Sequence, residues 1–192
     1  ISTVSHELRT PLTSLLGFTE LLLGRKFSLE KQQEFLTIIH KESLRLTNLI
    51  NDFLDLQRIE SRRQPYTFAP VAVEPLLRDT IAVFAKEGEL HAFRLDLPLT
   101  LPPVLADGER LRQVLANLVD NAIKYSPDQA AIAIAGQASN TEAILTVTDH
   151  GPGITPEELP RIWERLFRGD RSRTTRGLGL GLSLVKAIVE AH

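Results

Sequence analysis

Asp107-Gly-Glu-Arg-Leu-Arg-Gln-Val-Leu-Ala-Asn-Leu-Val-Asp-Asn-Ala-Ile-Lys-Tyr125 is the most strongly patterned stretch of this chain. Leu111, Val114, Leu115, Leu118 and Ile123 recur at helical spacing and predict one buried face. Gln113, Asn117, Asn121 and Lys124 recur three or four residues apart and predict a polar ridge on another face. Side-chain amide oxygens one turn apart suit a hard cation, and a lysine one turn further suits a phosphate. The same spacing also suits an ordinary solvated helix face. Two Asn in a helix interior carry only a small propensity cost, so the ridge alone does not decide.

Working outward, alternation with period two predicts strands over 91–97, 131–135 and 143–149, with Ser139-Asn140 as a turn. Residues 66–69 read as a further short strand and 73–87 as a helix. A last helix begins at about Leu180. Helices and strands mixed in this order predict an α+β layered unit. Upstream the pattern is different. Residues 2–23 carry Val4, Leu8, Leu12, Leu15 and Leu22 on one helical face, and Gly24 to Ser28 break the helix. Residues 29–60 place Phe35, Ile39, Leu46, Leu49, Phe53 and Leu56 in a heptad-like seam that Glu42 interrupts. Two such helices make an antiparallel hairpin that cannot bury both stripes alone. Pairing two copies into a four-helix bundle would, so a homodimer through residues 1–61 is expected. Ser61-Arg-Arg-Gln-Pro65 is the clear linker. The expected units are residues 1–61, a linker over 62–70, and a second unit over 71–192.

Composition narrows the choice of function. The chain has 192 residues, 43% of them hydrophobic, which is enough for a sizeable core. A formal net charge of −2 gives no reason to expect nucleic acid or an acidic membrane surface. The absence of cysteine excludes disulfides and thiolate-held metals. No apolar run approaches about 20 residues, so no membrane contact is expected of this piece. The opening lies within a helical pattern and lacks Met, as expected of a fragment of a longer protein.

The first helix carries Ser5-His-Glu-Leu-Arg-Thr-Pro-Leu12. Positions one and two turns on from His6 are Arg9, Thr10 and Thr13, all polar, so His6 is expected on the solvent side. Pro11 offers no N–H to the carbonyl of Glu7 and favours a local bend. An exposed imidazole beside the Glu7 carboxylate suits a nucleophile, and it equally suits a surface His near an acid. A second chemical position is Asp149, in phase with Leu145 and Val147. A carboxylate on that face needs a donor, which the amino group of a flat heterocycle beside His150-Gly-Pro-Gly153 would provide; an Asp simply ending a strand is the alternative. A third is Gly177-Leu-Gly-Leu-Gly-Leu182, whose backbone N–H groups before a helix could meet phosphates. A polar loop with six arginines from Arg161 to Arg176 precedes it, where a dinucleotide-binding fold would have a strand.

Taken together, these segments resemble the catalytic core of bacterial sensor histidine kinases. Residues 5–12 look like the family's H box, Asn117 to Tyr125 like its N box, and Asp149 to Ile154 like its first glycine box. Residues 162–167 resemble the F box with Trp163 where Phe is usual. Residues 177–182 resemble the second glycine box with Leu178 where Ser or Thr is common. The resemblance implies a dimerisation and phosphotransfer hairpin, followed by an α+β sandwich ATP-binding domain of the type shared with Hsp90, gyrase and MutL. The family's last β-hairpin has no counterpart before His192, so truncation is expected. By this likeness His6 is the phosphoacceptor, Glu7 its acid/base partner, and Thr10 the residue that positions water for dephosphorylation. Asn121 would hold Mg²⁺, with Asn117 beside it. Lys124 and Tyr125 would contact ATP, and Asp149 would read the adenine amine. Gly151, Gly153, Gly177, Gly179 and Gly181 would shape the pocket and its lid. The implied partner is a response-regulator receiver domain with an acceptor Asp, and the implied compartment is the cytoplasm. Three rivals are a core acting mainly as a phosphatase, a nucleotide-switched module, and a degenerate scaffold.

Overall fold

The computed structural model describes residues 2–60, 66–87, 91–98, 101–139, 142–169 and 179–192, without the side chains of residues 2–4, 6, 7, 60, 86 and 87. Helix α1 (Ser2–Gly24) runs through Pro11, whose ring is buried. Gly24 is its last helical residue, and the Arg25 N–H donates to the Leu21 carbonyl at 3.1 Å to close the end. Ser28 precedes α2 (Leu29–Glu60), its Oγ accepting from the Lys31 N–H at 3.3 Å. Aromatic contacts hold the turn: Phe35 lies 5.3 Å from Phe18 and 5.1 Å, edge-on, from Phe27 between ring centroids. Glu42, which breaks the apolar seam, is buried beside Arg45, with Oε2 accepting from Arg45 Nη1 at 3.4 Å.

The hairpin has one covered and one bare apolar surface. Leu49 and Leu56 are buried against the second unit, whereas Leu12 and Leu16 are each 58% exposed. Leu12, on the apolar face read for its helix, is thus uncovered within one chain.

The second unit begins with β1 (Ala69–Val71), displaced toward the C-terminal end of the segment 66–69 read as a strand, and α3 (Val73–Glu87). Strands β2 (Phe93–Asp96) and β3 (Val104–Ala106) follow; β3 has no counterpart in the sequence reading. Helix α4 (Gly108–Tyr125), β4 (Ile132–Ala138), β5 (Ala143–Thr148), a 3-10 turn at Leu159–Arg161 and α5 (Gly181–Glu190) complete the order. Strand β4 is central, parallel to β2 and antiparallel to β5, while β1 pairs antiparallel with β3. The Ser139 N–H donates to the Glu142 carbonyl at 2.8 Å, which closes the turn from β4 to β5; Asn140 lies outside the described residues.

Helix α4 sits between two cores. Val73, Leu76 and Leu77 of α3 pack with Leu115 and Val119 of α4 and Ile134 of β4, forming the helix-on-sheet layer. Another stripe of α4 contributes Val114 to a cluster with Leu180, Leu184, Val185 and Ile188, and this cluster takes in Leu49 and Leu56 of α2. Hairpin and second unit thus share a core, and Leu8 of α1 packs at its edge.

Candidate functional site

The polar ridge of α4 is positioned from its first residue. Asp107 caps the helix, its Oδ1 accepting from the Glu109 and Arg110 N–H groups at 3.1 Å each. Its Oδ2 accepts from the Thr67 N–H at 3.0 Å. That bond is the foremost cause holding the Asp107 carboxyl below its ordinary pKa; burial opposes it, and the two helix N–H bonds and the nearby Arg110 charge add to the lowering. Val114, Leu115, Val119 and Ala122 are buried, which leaves Asn117, Asn121 and Lys124 along one side. Asn117 Nδ2 donates to the Gln113 carbonyl at 3.0 Å, and this fixes where its Oδ1 lies. Lys124 pairs with Asp120, one turn back.

Two glycine-bearing loops close on this helix. The first follows β5. Asp149 is exposed rather than buried, because the chain leaves the sheet there and its Oδ1 turns back to accept from the Gly151 N–H at 2.7 Å. The His150 N–H donates to Ser126 Oγ at 3.3 Å, tying the loop to the end of α4. A methyl group on Gly151 would lie 2.9 Å from the Tyr125 carbonyl oxygen, so only glycine allows this approach. Gly153 stands further out, with φ +70°. The structure therefore brings Tyr125, Asp149 and Gly151 together.

The second loop leads into α5. Gly179 has φ +68° and its carbonyl accepts from the Leu166 N–H at 3.1 Å, joining the segment 162–167 to the start of the helix. Gly181 approaches α4 so closely that a methyl there would meet Asn117 Oδ1 at 2.9 Å. The N-terminus of α5 and its dipole thus lie against the Asn117 end of the ridge. Gly177 lies outside the described residues. Of the six arginines, Arg161, Arg165 and Arg168 are described; together with Glu157, Glu158 and Glu164 they line a cavity of about 470 Å³ on the segment before α5. The Arg161 guanidinium stacks over Phe167 at 4.4 Å.

On the hairpin, His6 and Glu7 are residues of α1, and their side chains lie outside those described. Thr10 is exposed one turn further on. Leu8, two residues from His6, is partly buried at the edge of the core that also holds Leu49, Leu56, Leu180 and Leu184.

Sequence reasoning missed one polar cluster. Asp55 Oδ2 on α2 accepts from Arg110 Nη1 at 3.0 Å and from Gln113 Nε2 at 2.8 Å, and Arg110 Nη1 also donates to Gln113 Oε1 at 2.7 Å. Asp52, one turn before, has its carboxyl raised to about 6, first by burial, then by Asp55, with Lys124 opposing and Asp120 adding a little. The available signal was the pair Asp52 and Asp55 set between Leu49, Phe53 and Leu56, where an acid interrupts an apolar seam.

The arrangement offers O-donors, a cation and glycine-thinned backbone around the C-terminal half of α4, which suits a nucleotide with its phosphates toward α5. A metal held by protein alone is not supported: among the described residues no cluster of three or more His, Cys, Asp or Glu could hold an ion. The single amide oxygen of Asn121 fits a hard cation that takes its remaining oxygens from phosphates and water.

Comparison with known proteins gives the same reading. Residues 1–62 match the His Kinase A phospho-acceptor domain model, and residues 106–192 match the histidine kinase-, DNA gyrase B- and HSP90-like ATPase model. The phosphate regulon sensor protein PhoR of Pseudomonas aeruginosa is 39% identical over 201 residues, covering all of this chain and 44% of that protein. The circadian input-output histidine kinase CikA of Synechococcus elongatus is 36% identical, over all of this chain and 26% of that protein. The chain thus spans less than half the length of these relatives. Among solved structures, the Acinetobacter baumannii histidine kinase AdeS superposes with TM-score 0.76 at 27% identity, covering 97% of this chain and 86% of that one. Full-length ShkA in complex with AMPPNP superposes with TM-score 0.72 at 30% identity, covering 99% and 40%.

Proposed function

Because this chain belongs to the sensor histidine kinases and carries their phosphoacceptor hairpin and ATP-binding domain, we propose that it phosphorylates its own His6 from ATP. The phosphoryl group would then pass to an Asp of a response-regulator receiver domain. One observation supports the reading: the hairpin and the second unit share a buried core, at whose edge lies Leu8, two residues from His6, and which holds Leu180 at the start of α5, the helix whose Gly181 closes on Asn117. In this reading the phosphate donor site and the acceptor helix belong to units that share one core.

The proposed units are residues 1–61 and 71–192, joined by 62–70. In this reading Asp149 reads the adenine amine, and Gly151 allows the ring to lie against the backbone at Tyr125. Asn121 holds Mg²⁺ with Asn117 beside it, and Lys124 neutralises phosphate charge. Gly153, Gly177, Gly179 and Gly181 shape the pocket and lid. Glu7 accepts the ring proton as the P–N bond forms at His6 and the bond from the γ-phosphorus to its bridging oxygen breaks. Positioning and charge neutralisation do most of the catalytic work in phosphoryl transfer. Thr10 orients the water that hydrolyses the aspartyl phosphate of the regulator, releasing inorganic phosphate. The dimer partner is a second copy of the hairpin, whose bare apolar surface includes Leu12, Leu16 and Leu36. Among the described residues, no helix is long and apolar enough to cross a membrane.

The test is incubation with Mg²⁺ and γ-labelled ATP. Base-stable, acid-labile label that is lost in His6→Gln is the expected result. Label retained in His6→Gln, or no label while nucleotide still binds, refutes autophosphorylation at this residue.

A further inference from the structure

Strands β4 and β5 run in a register that pairs Val147 with Ile134 and Thr148 with Ala133. Continued past the end of β5, the same register sets His150 against Ala131, just before β4. The His150 backbone does not bond there, because its N–H turns to Ser126 Oγ at 3.3 Å. Its imidazole does: Nδ1 lies 3.0 Å from the Ala131 carbonyl oxygen. A carbonyl only accepts, so Nδ1 carries the proton and donates. His150 is thus tied at two points, to the end of α4 through its backbone and to the facing residue through its ring. Ala131 is itself held from the other side of the sheet. The His91 Nδ1 donates to the Ala130 carbonyl at 3.1 Å, and the Ile132 N–H donates to the Ala92 carbonyl at 2.9 Å.

The consequence falls on Asp149. It stands between Thr148, the last residue of the sheet, and the doubly tied His150. Its Oδ1 accepts from the Gly151 N–H at 2.7 Å, and no other hydrogen bond to this carboxylate is present among the described residues, so Oδ2 is left for a ligand. His150 is exposed, so its ring fills no core and its removal opens no cavity. What the ring contributes is direction. A carboxylate on a loose loop must be ordered when it binds and accepts equally well from many angles, whereas one held in advance discriminates between partners.

We propose that His150 is a specificity-determining positioning residue for the nucleotide base: its bond to the Ala131 carbonyl aims Asp149 at the exocyclic amine of adenine and against a base bearing an oxo group in that place. This rests on the reading that Asp149 binds the adenine amine, and adds what orients the carboxylate. An oxo group facing Asp149 sets two acceptors together with no proton between them, which is the rejecting half of the discrimination.

The experiment is calorimetric titration of the 192-residue chain with Mg²⁺–ADP and with Mg²⁺–IDP, which carries the oxo group in place of the amine. The variants are His150→Ala, His150→Asn and Asp149→Asn. The wild type should prefer ADP. His150→Ala should weaken ADP by about threefold to tenfold, the worth of one hydrogen bond, and leave IDP within about twofold. Asn brings its Nδ2 near the place of the imidazole Nδ1, so His150→Asn should restore the preference. Both His150 variants change an exposed residue and are expected to fold, which thermal melting checks; if the Ala variant does not fold, the Asn variant decides, its preference for ADP kept or lost. Equal weakening of ADP and IDP in His150→Ala, with no rescue by Asn, overturns the proposal. So does an unchanged His150→Ala; loss of the preference in Asp149→Asn then leaves the reading of Asp149 standing. A preference for ADP that survives Asp149→Asn, or no binding of either nucleotide by the wild type, overturns both. Nitrogen-15 NMR gives a readout independent of affinity: the neutral His150 ring should carry its proton on Nδ1, and a proton on Nε2 overturns the proposal.

Discussion

Gly181→Ala should separate site geometry from stability. The added methyl would lie 2.9 Å from Asn117 Oδ1 and 3.6 Å from Cγ, so the amide must retreat by about half an ångström to reach ordinary contact. Its anchor is the 3.0 Å bond from Nδ2 to the Gln113 carbonyl, and straining or losing it costs about 0.5–1.5 kcal/mol. Against this, Ala in place of Gly at a helical position gains up to about 1 kcal/mol. The two nearly cancel, and thermal unfolding should shift by only a few degrees. Nucleotide binding has no such compensation. If Asn117 is held for the ligand, displacing it costs about 1–2 kcal/mol, or roughly fivefold to thirtyfold in affinity for Mg²⁺–AMPPNP. A double-mutant cycle with Asn117→Ala isolates the cause. On that background Gly181→Ala should do nothing further to binding. Unchanged affinity in the single variant, or the same loss with Asn117 already removed, refutes the account.

Other outcomes follow from particular contacts. Leu56→Ala removes a side chain only 3% exposed between α2 and α5 and should cost about 2–4 kcal/mol in urea unfolding. Leu16→Glu places a charge on a residue 58% exposed in the single chain, so light scattering should find a folded monomer. The Asp52 carboxyl is raised to about 6, so its contribution to docking is fully present below the ordinary carboxylate pKa and lost as pH rises through about 6. Stability relative to Asp52→Asn should therefore fall between about pH 4 and 6 and level off above. The Asp107 carboxyl is depressed, so its contribution is present above the ordinary carboxylate pKa and lost as pH falls through the depressed value. Asp107→Ala should remove that acid sensitivity and cost about 1–2 kcal/mol at neutral pH, as loss of a helix cap does.

The elements legible in the sequence were those with strong local signals. Helix α4 shows a two-sided pattern and a capping Asp107, and Val73 to Glu87 was read with the bounds observed. Strand β3 was not seen, because Val104–Ala106 is three residues long between prolines and a helix cap and owes its conformation to pairing with β1. Asp149 was read as buried from its phase with Leu145 and Val147, but phase ends where the strand ends, and the strand stops at Thr148. Close approaches such as Gly181 to Asn117 join residues 64 positions apart, and only the folded chain reveals them. The Asp55 cluster was missed for the same reason: its partners Arg110 and Gln113 lie on another helix.

The hairpin's two apolar surfaces have different roles, and the difference follows from geometry. Leu49 and Leu56 are covered within one chain by α5, whereas Leu12, Leu16, Leu36 and Leu54 remain open to a second hairpin. Dimerisation and docking of the ATP-binding domain therefore need not compete for side chains. Any rotation of α2 within a dimer must nevertheless be felt at Leu49, Asp52, Asp55 and Leu56 together, since these occupy one helical stripe. On α4 the responding positions are Arg110, Gln113 and Val114, one turn from Asn117. A packed interface of this kind does not deform smoothly but holds or lets go. A twist arriving along the hairpin would thus reach the α4 ridge proposed for the nucleotide as a change between two states, with no residue of that ridge itself being altered.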